Sequence, residues 1–96
     1  MRTLLIHNPV AGRQRLQRQA PDAAAVLRSA GWTVNLAATT GPDSAMHLAS
    51  EAAERGYEAV VVAGGDGTVN LAANGLLQAR KGGQALPALG ILPAGT

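Results

Sequence analysis

The run Ala59-Val60-Val61-Val62-Ala63 passes directly into Gly64-Gly65-Asp66-Gly67-Thr68, and no other stretch restricts the possible folds as much. Small and β-branched apolar residues ending at a turn signal predict a strand buried on both faces of a parallel sheet. Gly64, Gly65 and Gly67 then leave the backbone without a Cβ barrier to positive φ or to close approach by a ligand. Beyond them, the stretch from Val69 to Leu77 carries a helical pattern. A strand, a bare loop and a helix N-terminus in series put unpaired N–H groups and the positive end of a dipole at the sheet's C-terminal edge. Phosphate binds at such an edge.

Strand and helix signals alternate around this junction. Thr3 to His7 reads as a short apolar strand that ends at the turn-initiating pair Asn8-Pro9. Helical spacing follows from about Gln14 to Ala30, with Leu16, Ala20, Ala24 and Leu27 on one stripe. Pro21 interrupts it: either the helix is kinked there, or Pro21 lies in the first turn of a second helix. Gly31 suits the C-terminal cap. Trp32 to Ala38 alternates, with Trp32, Val34 and Leu36 on one face, as in a half-exposed strand near a sheet edge. After the loop Thr39 to Asp43, a helix from Ser44 to Arg55 places Ala45, Leu48, Ala49 and Ala52 together and is closed by Gly56. A third helix spans about Val69 to Arg80, Lys81 to Gln84 is a loop, and Pro87 to Leu92 is a fourth strand. The order β-α-β-α-β-α-β predicts an α/β fold, Rossmann-like, in three layers with helices on both faces of a parallel sheet.

At 96 residues the chain is one small domain or part of a larger one. It ends at Thr96, straight after the fourth strand, so residues 1–96 are expected to be an incomplete domain with an exposed apolar edge and a tendency to associate, for instance as a homodimer. Trp32 and Tyr57 are the only aromatics, which removes any stacking platform for single-stranded nucleic acid and that partner with it. There is no cysteine, and no apolar run reaches the ~18 residues of a membrane span. The N-terminus is too short for a signal peptide, and a cytoplasmic location is expected. Net charge is +2, with Arg13, Arg15 and Arg18 near the first loop. They form either a solvated helix face or a patch favouring an anionic ligand or lipid surface.

In a parallel sheet the loops after the strands share one edge. Here these are Asn8-Pro9-Val10-Ala11-Gly12, Thr39-Thr40-Gly41, Gly64 to Thr68 and Pro93-Ala94-Gly95-Thr96, all rich in small residues. The nucleotide motifs GxxxxGK[ST] and GxGxxG are both absent. Backbone N–H groups of the glycine turn must therefore hold phosphate, with the hydroxyls of Thr40, Thr68 and Thr96 as supplements. Asp66 is a carboxylate inside that turn. It either organises Mg²⁺ or accepts a proton, or it caps the helix; the residues alone leave both open. Asn70 and Asn74 lie four apart on one helical face, so one can turn toward the crevice. Neither His7 nor His47 has the partners a metal site needs, and no metal ligands are assigned.

The Asn8-Pro9-x-Ala11-Gly12 loop, the Gly64 to Asn70 stretch with Ala73-Asn74-Gly75-Leu76, and the ending Leu89 to Thr96 resemble the diacylglycerol kinase catalytic domain family, which includes bacterial lipid kinases and sphingosine and ceramide kinases. The match runs over the whole chain in order. The GGDGT element alone is shared with NAD kinases. The resemblance implies transfer of the ATP γ-phosphoryl group, with Mg²⁺, to the hydroxyl of a diacylglycerol-like lipid. It assigns Asn8, Pro9, Val10, Ala11, Gly12, Thr40, Gly64, Gly65, Asp66, Gly67, Thr68, Val69, Asn70, Leu71 and Thr96 to nucleotide binding. Asp66 is implied as the catalytic proton acceptor, as in sphingosine kinases, whereas bacterial members are usually assigned a glutamate in a C-terminal domain. Two departures stand out. Leu71 occupies a position where the family usually has an acidic residue, and the β-rich lipid-binding domain that normally follows is absent from these 96 residues. The piece alone is therefore expected to be inactive, with peripheral membrane contact made through the missing part. An NAD kinase-like enzyme and a non-catalytic nucleotide-binding module are the competing readings.

Overall fold

The computed structural model describes residues 1–8, 14–79 and 86–93, with the side chains of 14–19, 66 and 93 outside that description. Seven elements follow in order: β1 (Arg2–His7), α1 (Gln14–Ser29), β2 (Thr33–Ala38), α2 (Ser44–Glu54), β3 (Ala59–Gly64), α3 (Asp66–Gln78) and β4 (Ala88–Pro93). The strands form one parallel sheet in the order β2-β1-β3-β4. The α/β class and the parallel sheet are as the residue pattern predicts.

β3 explains the layering. All six of its residues are buried, because successive side chains leave opposite faces and both faces are covered. Val60 and Val62 join Leu4 and Ile6 of β1 in a core with Ala45, Ala49 and Ala52 of α2 and Ala72 and Leu76 of α3. Val61 and Ala63 join Leu5 and Val34 in a second core with Ala20 and Ala24 of α1. One helix therefore covers one face and two cover the other. Right-handed crossovers require this split, because β1→β2 moves one way along the sheet while β2→β3→β4 moves the other. Alanine dominates the helix side of both cores, so the helices approach the sheet closely without aromatic bulk.

Several local expectations hold. Gly31 (φ +93°) and Gly56 (φ +79°) take the left-handed conformation just past α1 and α2, which a side chain would resist. β2 is an edge strand, with Val34 buried and Leu36 39% exposed. At the other edge Leu89 and Ile91 of β4 remain exposed.

Two expectations are resolved or corrected. Pro21 lies inside a single helix, α1, rather than opening a second one. It forfeits one backbone bond, yet the burial of Ala20 and Ala24 against the sheet keeps the helix continuous across it. Helix α3 begins at Asp66, three residues before the predicted Val69, so the turn after β3 shrinks to Gly65 alone. Helix propensity underrated Gly67, which stands in the first turn, where few intrahelical bonds are yet at stake.

The tightest contact lies between α2 and α3. Gly75 is buried there, and a Cβ at this position would fall onto the Met46 carbonyl of α2. Alanine normally stabilises a helix over glycine by ~1 kcal/mol, but here the sign reverses. Gly75→Ala should lower stability by about 1–3 kcal/mol, read as an earlier urea midpoint. An unchanged midpoint would show that the two helices can part without cost.

Candidate functional site

The sheet's switch point lies between β1 and β3. Thr3 to His7 pair with Ala59 to Ala63 in register, so the two strands end side by side. From there the chain leaves toward opposite layers, to α1 on one face and to α3 on the other. The divergence opens a crevice at the C-terminal edge, where ligands of such sheets bind. Asn8 emerges on one side of it, and Gly64 and Gly65 on the other.

The N-terminus of α3 faces this edge. Gly65 is the N-cap, with extended backbone (φ −84°, ψ −177°) and no side-chain cap. The first helical bond runs from the Val69 N–H to the Gly65 carbonyl at 3.1 Å. The amides of Asp66, Gly67 and Thr68 therefore have no intrahelical acceptor, and the positive end of the helix dipole lies among them. Such an arrangement attracts an anion.

The three glycines of the turn have different reasons to be glycine. A Cβ on Gly64 would come within 3.1–3.3 Å of the Thr68 side chain, which folds over the strand end. Gly64 is thus explained by packing, and the Thr68 side chain is half-buried by the same contact. Gly65 and Gly67 are different. Among the described residues a Cβ on either would meet nothing within 4 Å, and neither has positive φ. The expected use of positive φ in this turn is not observed. Gly65 serves as the N-cap of α3; at Gly67 no contact among the described residues asks for bare backbone, and close approach by a ligand would.

Thr40 lies at the same edge, two residues beyond Ala38, which pairs with His7. One strand spacing separates it from β1 and two from the glycine turn, about 10 Å. It is exposed and sits at the mouth of a shallow cleft of about 390 Å³ between the 39–44 loop and the outer side of α2. Ser44, His47 and Glu51 also line that cleft. His7, half-buried, ends β1 beside the crevice, whereas His47 is exposed on α2. Among the described residues no group of three His, Cys, Asp or Glu side chains is placed to hold a metal ion.

The structure thus brings Asn8, Thr40 and the Gly64–Thr68 turn to one edge of the sheet, whereas Val69 and Leu71, further along α3, pack against the core. Pro9, Val10, Ala11, Gly12 and Thr96 lie outside the described residues, as does the side chain of Asp66. Asn70 and Asn74 are both exposed on α3. Ser44 was missed by the sequence reading. Its Oγ accepts from the Thr40 N–H at 3.1 Å, and the four-residue spacing of a hydroxyl at a helix start behind a loop threonine was the available signal. Among the described residues no helix is long and apolar enough to cross a membrane.

Comparison with known proteins agrees with this fold. The family model of the diacylglycerol kinase catalytic domain matches residues 2–96. The chain is 36% identical over 95 residues to a diacylglycerol kinase of Bacillus subtilis (strain 168), covering 99% of this chain and 30% of that protein. It is 37% identical over 95 residues to one from Staphylococcus aureus (strain MRSA252), covering 99% and 29%. The crystal structure of a diacylglycerol kinase from Bacillus anthracis str. Sterne matches with a TM-score of 0.74 at 31% identity, over 99% of this chain and 33% of that one. The chain spans 29–30% of the length of these two curated relatives.

The different reasons for glycine predict opposite effects on stability. Gly64→Ala should destabilise by about 1–2 kcal/mol through crowding of Thr68. Gly67→Ala should stabilise by about 0.5–1 kcal/mol, since it adds helix propensity at an open position. Urea denaturation of both variants checks the pair, and a destabilised Gly67→Ala would mean that the fold itself needs that glycine.

Proposed function

The chain belongs to the diacylglycerol kinase catalytic domain family, and on that premise we propose that residues 1–96 are the N-terminal nucleotide-binding domain of a longer lipid kinase. In the proposed reaction the terminal P–O bond of ATP breaks to leave ADP. A new P–O bond forms to the hydroxyl oxygen of a diacylglycerol-like acceptor, and the hydroxyl proton passes to a base. The acceptor pocket and the β-rich domain that forms it belong to the remainder of the protein, which also makes peripheral contact with a cytoplasmic membrane face.

Gly67 is the observation that carries this reading. It is glycine in a helix, exposed, without positive φ and, among the described residues, with nothing within 4 Å of an added Cβ. A ligand lying against the first turn of α3 accounts for it, and the three amides without intrahelical acceptors suit phosphate oxygens. In this reading Asn8 to Gly12, Thr40, Gly64 to Leu71 and Thr96 line the nucleotide site.

Mg²⁺ binds phosphate oxygens with one or two carboxylates rather than a protein cage. Asp66, at the first position of α3, is the carboxylate of the turn, and we assign it to the metal–phosphate complex or to the acceptor's proton. Leu71 supplies no second carboxylate where the family usually has one.

The test is titration of the 96-residue chain with Mg·ATP. Wild type should bind, and Gly67→Ala, although at least as stable, should bind at least about tenfold more weakly, as loss of one or more charge-assisted contacts implies. Wild-type affinity in that variant would remove the case for a phosphate cradle. In the longer protein, Asp66→Asn should lower kcat for diacylglycerol phosphorylation by about 10²- to 10⁴-fold if Asp66 takes the proton. The 96-residue chain alone should phosphorylate no lipid, and turnover by it would overturn the assignment of the acceptor site to the remainder.

A further inference from the structure

We infer that Ser44 is a positioning residue for the nucleotide crevice, acting through Thr40; this rests on the nucleotide reading above. Two consecutive amides of the β2–α2 connection are tied to different elements. The Thr39 N–H donates to the His7 carbonyl at 2.8 Å, carrying the β1–β2 ladder one residue past the strand ends. The Thr40 N–H donates to Ser44 Oγ at 3.1 Å, while the Ser44 N–H donates to the Gly41 carbonyl at 3.2 Å. One residue thus closes the loop twice, once through its hydroxyl and once through its amide.

Ser44 is suited to this by its place at the start of α2. A first-turn amide has no intrahelical acceptor, so it is free to reach Gly41. Serine hydroxyls readily bond local backbone in such positions. The N-cap, Asp43, makes no side-chain cap bond and holds the helix only through its carbonyl, which accepts from the His47 N–H at 3.2 Å, so the side-chain tie between loop and helix is that of Ser44. Thr40 is left with its N–H engaged and its exposed side chain at the crevice edge. Gly41, next to it, repeats the signature of Gly67: no positive φ and, among the described residues, nothing within 4 Å of an added Cβ. Bare backbone beside a pinned threonine is a surface for close ligand approach, made rigid before the ligand arrives. The fold does not need the hydroxyl, because Ala45, Ala49 and Ala52 pack α2 onto the sheet.

Nuclear magnetic resonance on the isotope-labelled 96-residue chain tests this. Amide exchange at Thr40 is measured without ligand, and Mg·ATP is then titrated in. Ser44→Ala should speed Thr40 exchange and weaken Mg·ATP binding roughly three- to tenfold, with Tm close to wild type. Ser44→Thr, which keeps the hydroxyl, should restore both. If Ser44→Ala binds Mg·ATP as wild type does, the positioning role is overturned while the nucleotide reading stands. If wild type itself shows no Mg·ATP-dependent shifts at Gly65 to Thr68, the nucleotide reading falls and the role of Ser44 with it.

Discussion

Burial of β3 on both faces is the constraint from which the rest follows. A strand whose six residues are all covered needs a helix layer above and another below. The crossover helices α1, α2 and α3 supply those layers, and the handedness of the crossovers fixes which helix goes where. Once α1 lies on one face and α2 with α3 on the other, β1 and β3 must send their loops apart. The crevice at their C-terminal ends is therefore a consequence of core formation, not a separate feature added to it.

The two ends of the sheet are built differently, and the contrast separates stability from function. At the N-terminal end polar groups are paired. The Arg2 N–H donates to Glu58 Oε1 at 3.0 Å, and its guanidinium donates to the Arg55 carbonyl at 2.8 Å and lies over the Tyr57 ring at 4.3 Å. The Asn35 amide donates to the Tyr57 hydroxyl at 2.7 Å. These contacts join β1, β2 and the α2–β3 connection. They are solvent-exposed, each adding little, and together they hold the strand starts in register. At the opposite end the first-turn amides of α3 lack intrahelical acceptors, and Gly65 and Gly67 have open space beside them among the described residues. Donors without intrahelical acceptors, collected at one end of the sheet, are what an anionic ligand would complete.

The fold was legible because its signals are periodic and local. The Val60 to Ala63 run, the Ala45/Ala49/Ala52 stripe and the positive-φ glycines at 31 and 56 each carry their meaning within a few residues. Features set by tertiary contact were not legible. Pro21 reads as a breaker until the sheet beneath Ala20 and Ala24 is known to hold the helix across it. The α3 boundary was misplaced because glycine and aspartate weigh against helix in any local reading, whereas at a helix N-terminus neither costs much. Gly75 reads as an ordinary helix glycine, and only the Met46 carbonyl of a different helix explains it. Ser44 likewise gains its role from a bond to a loop that the sequence places near it but does not orient.

Within the glycine turn, the residues differ in how much they say about a ligand. An acidic residue at the first position of a helix is favourable by about 0.3–1 kcal/mol with no ligand present, so Asp66 has a sufficient reason in the fold alone. Gly64 has one too, in the Thr68 side chain that occupies the space its Cβ would need. Gly65 is an acceptable N-cap on local grounds. Gly67 has none of these, and alanine keeps the higher helix propensity even in a first turn. A glycine that answers to no contact among the described residues is accounted for by something that approaches the backbone from outside. Its place beside three amides without intrahelical acceptors, at the switch point of a parallel sheet, makes that something an anion held by backbone.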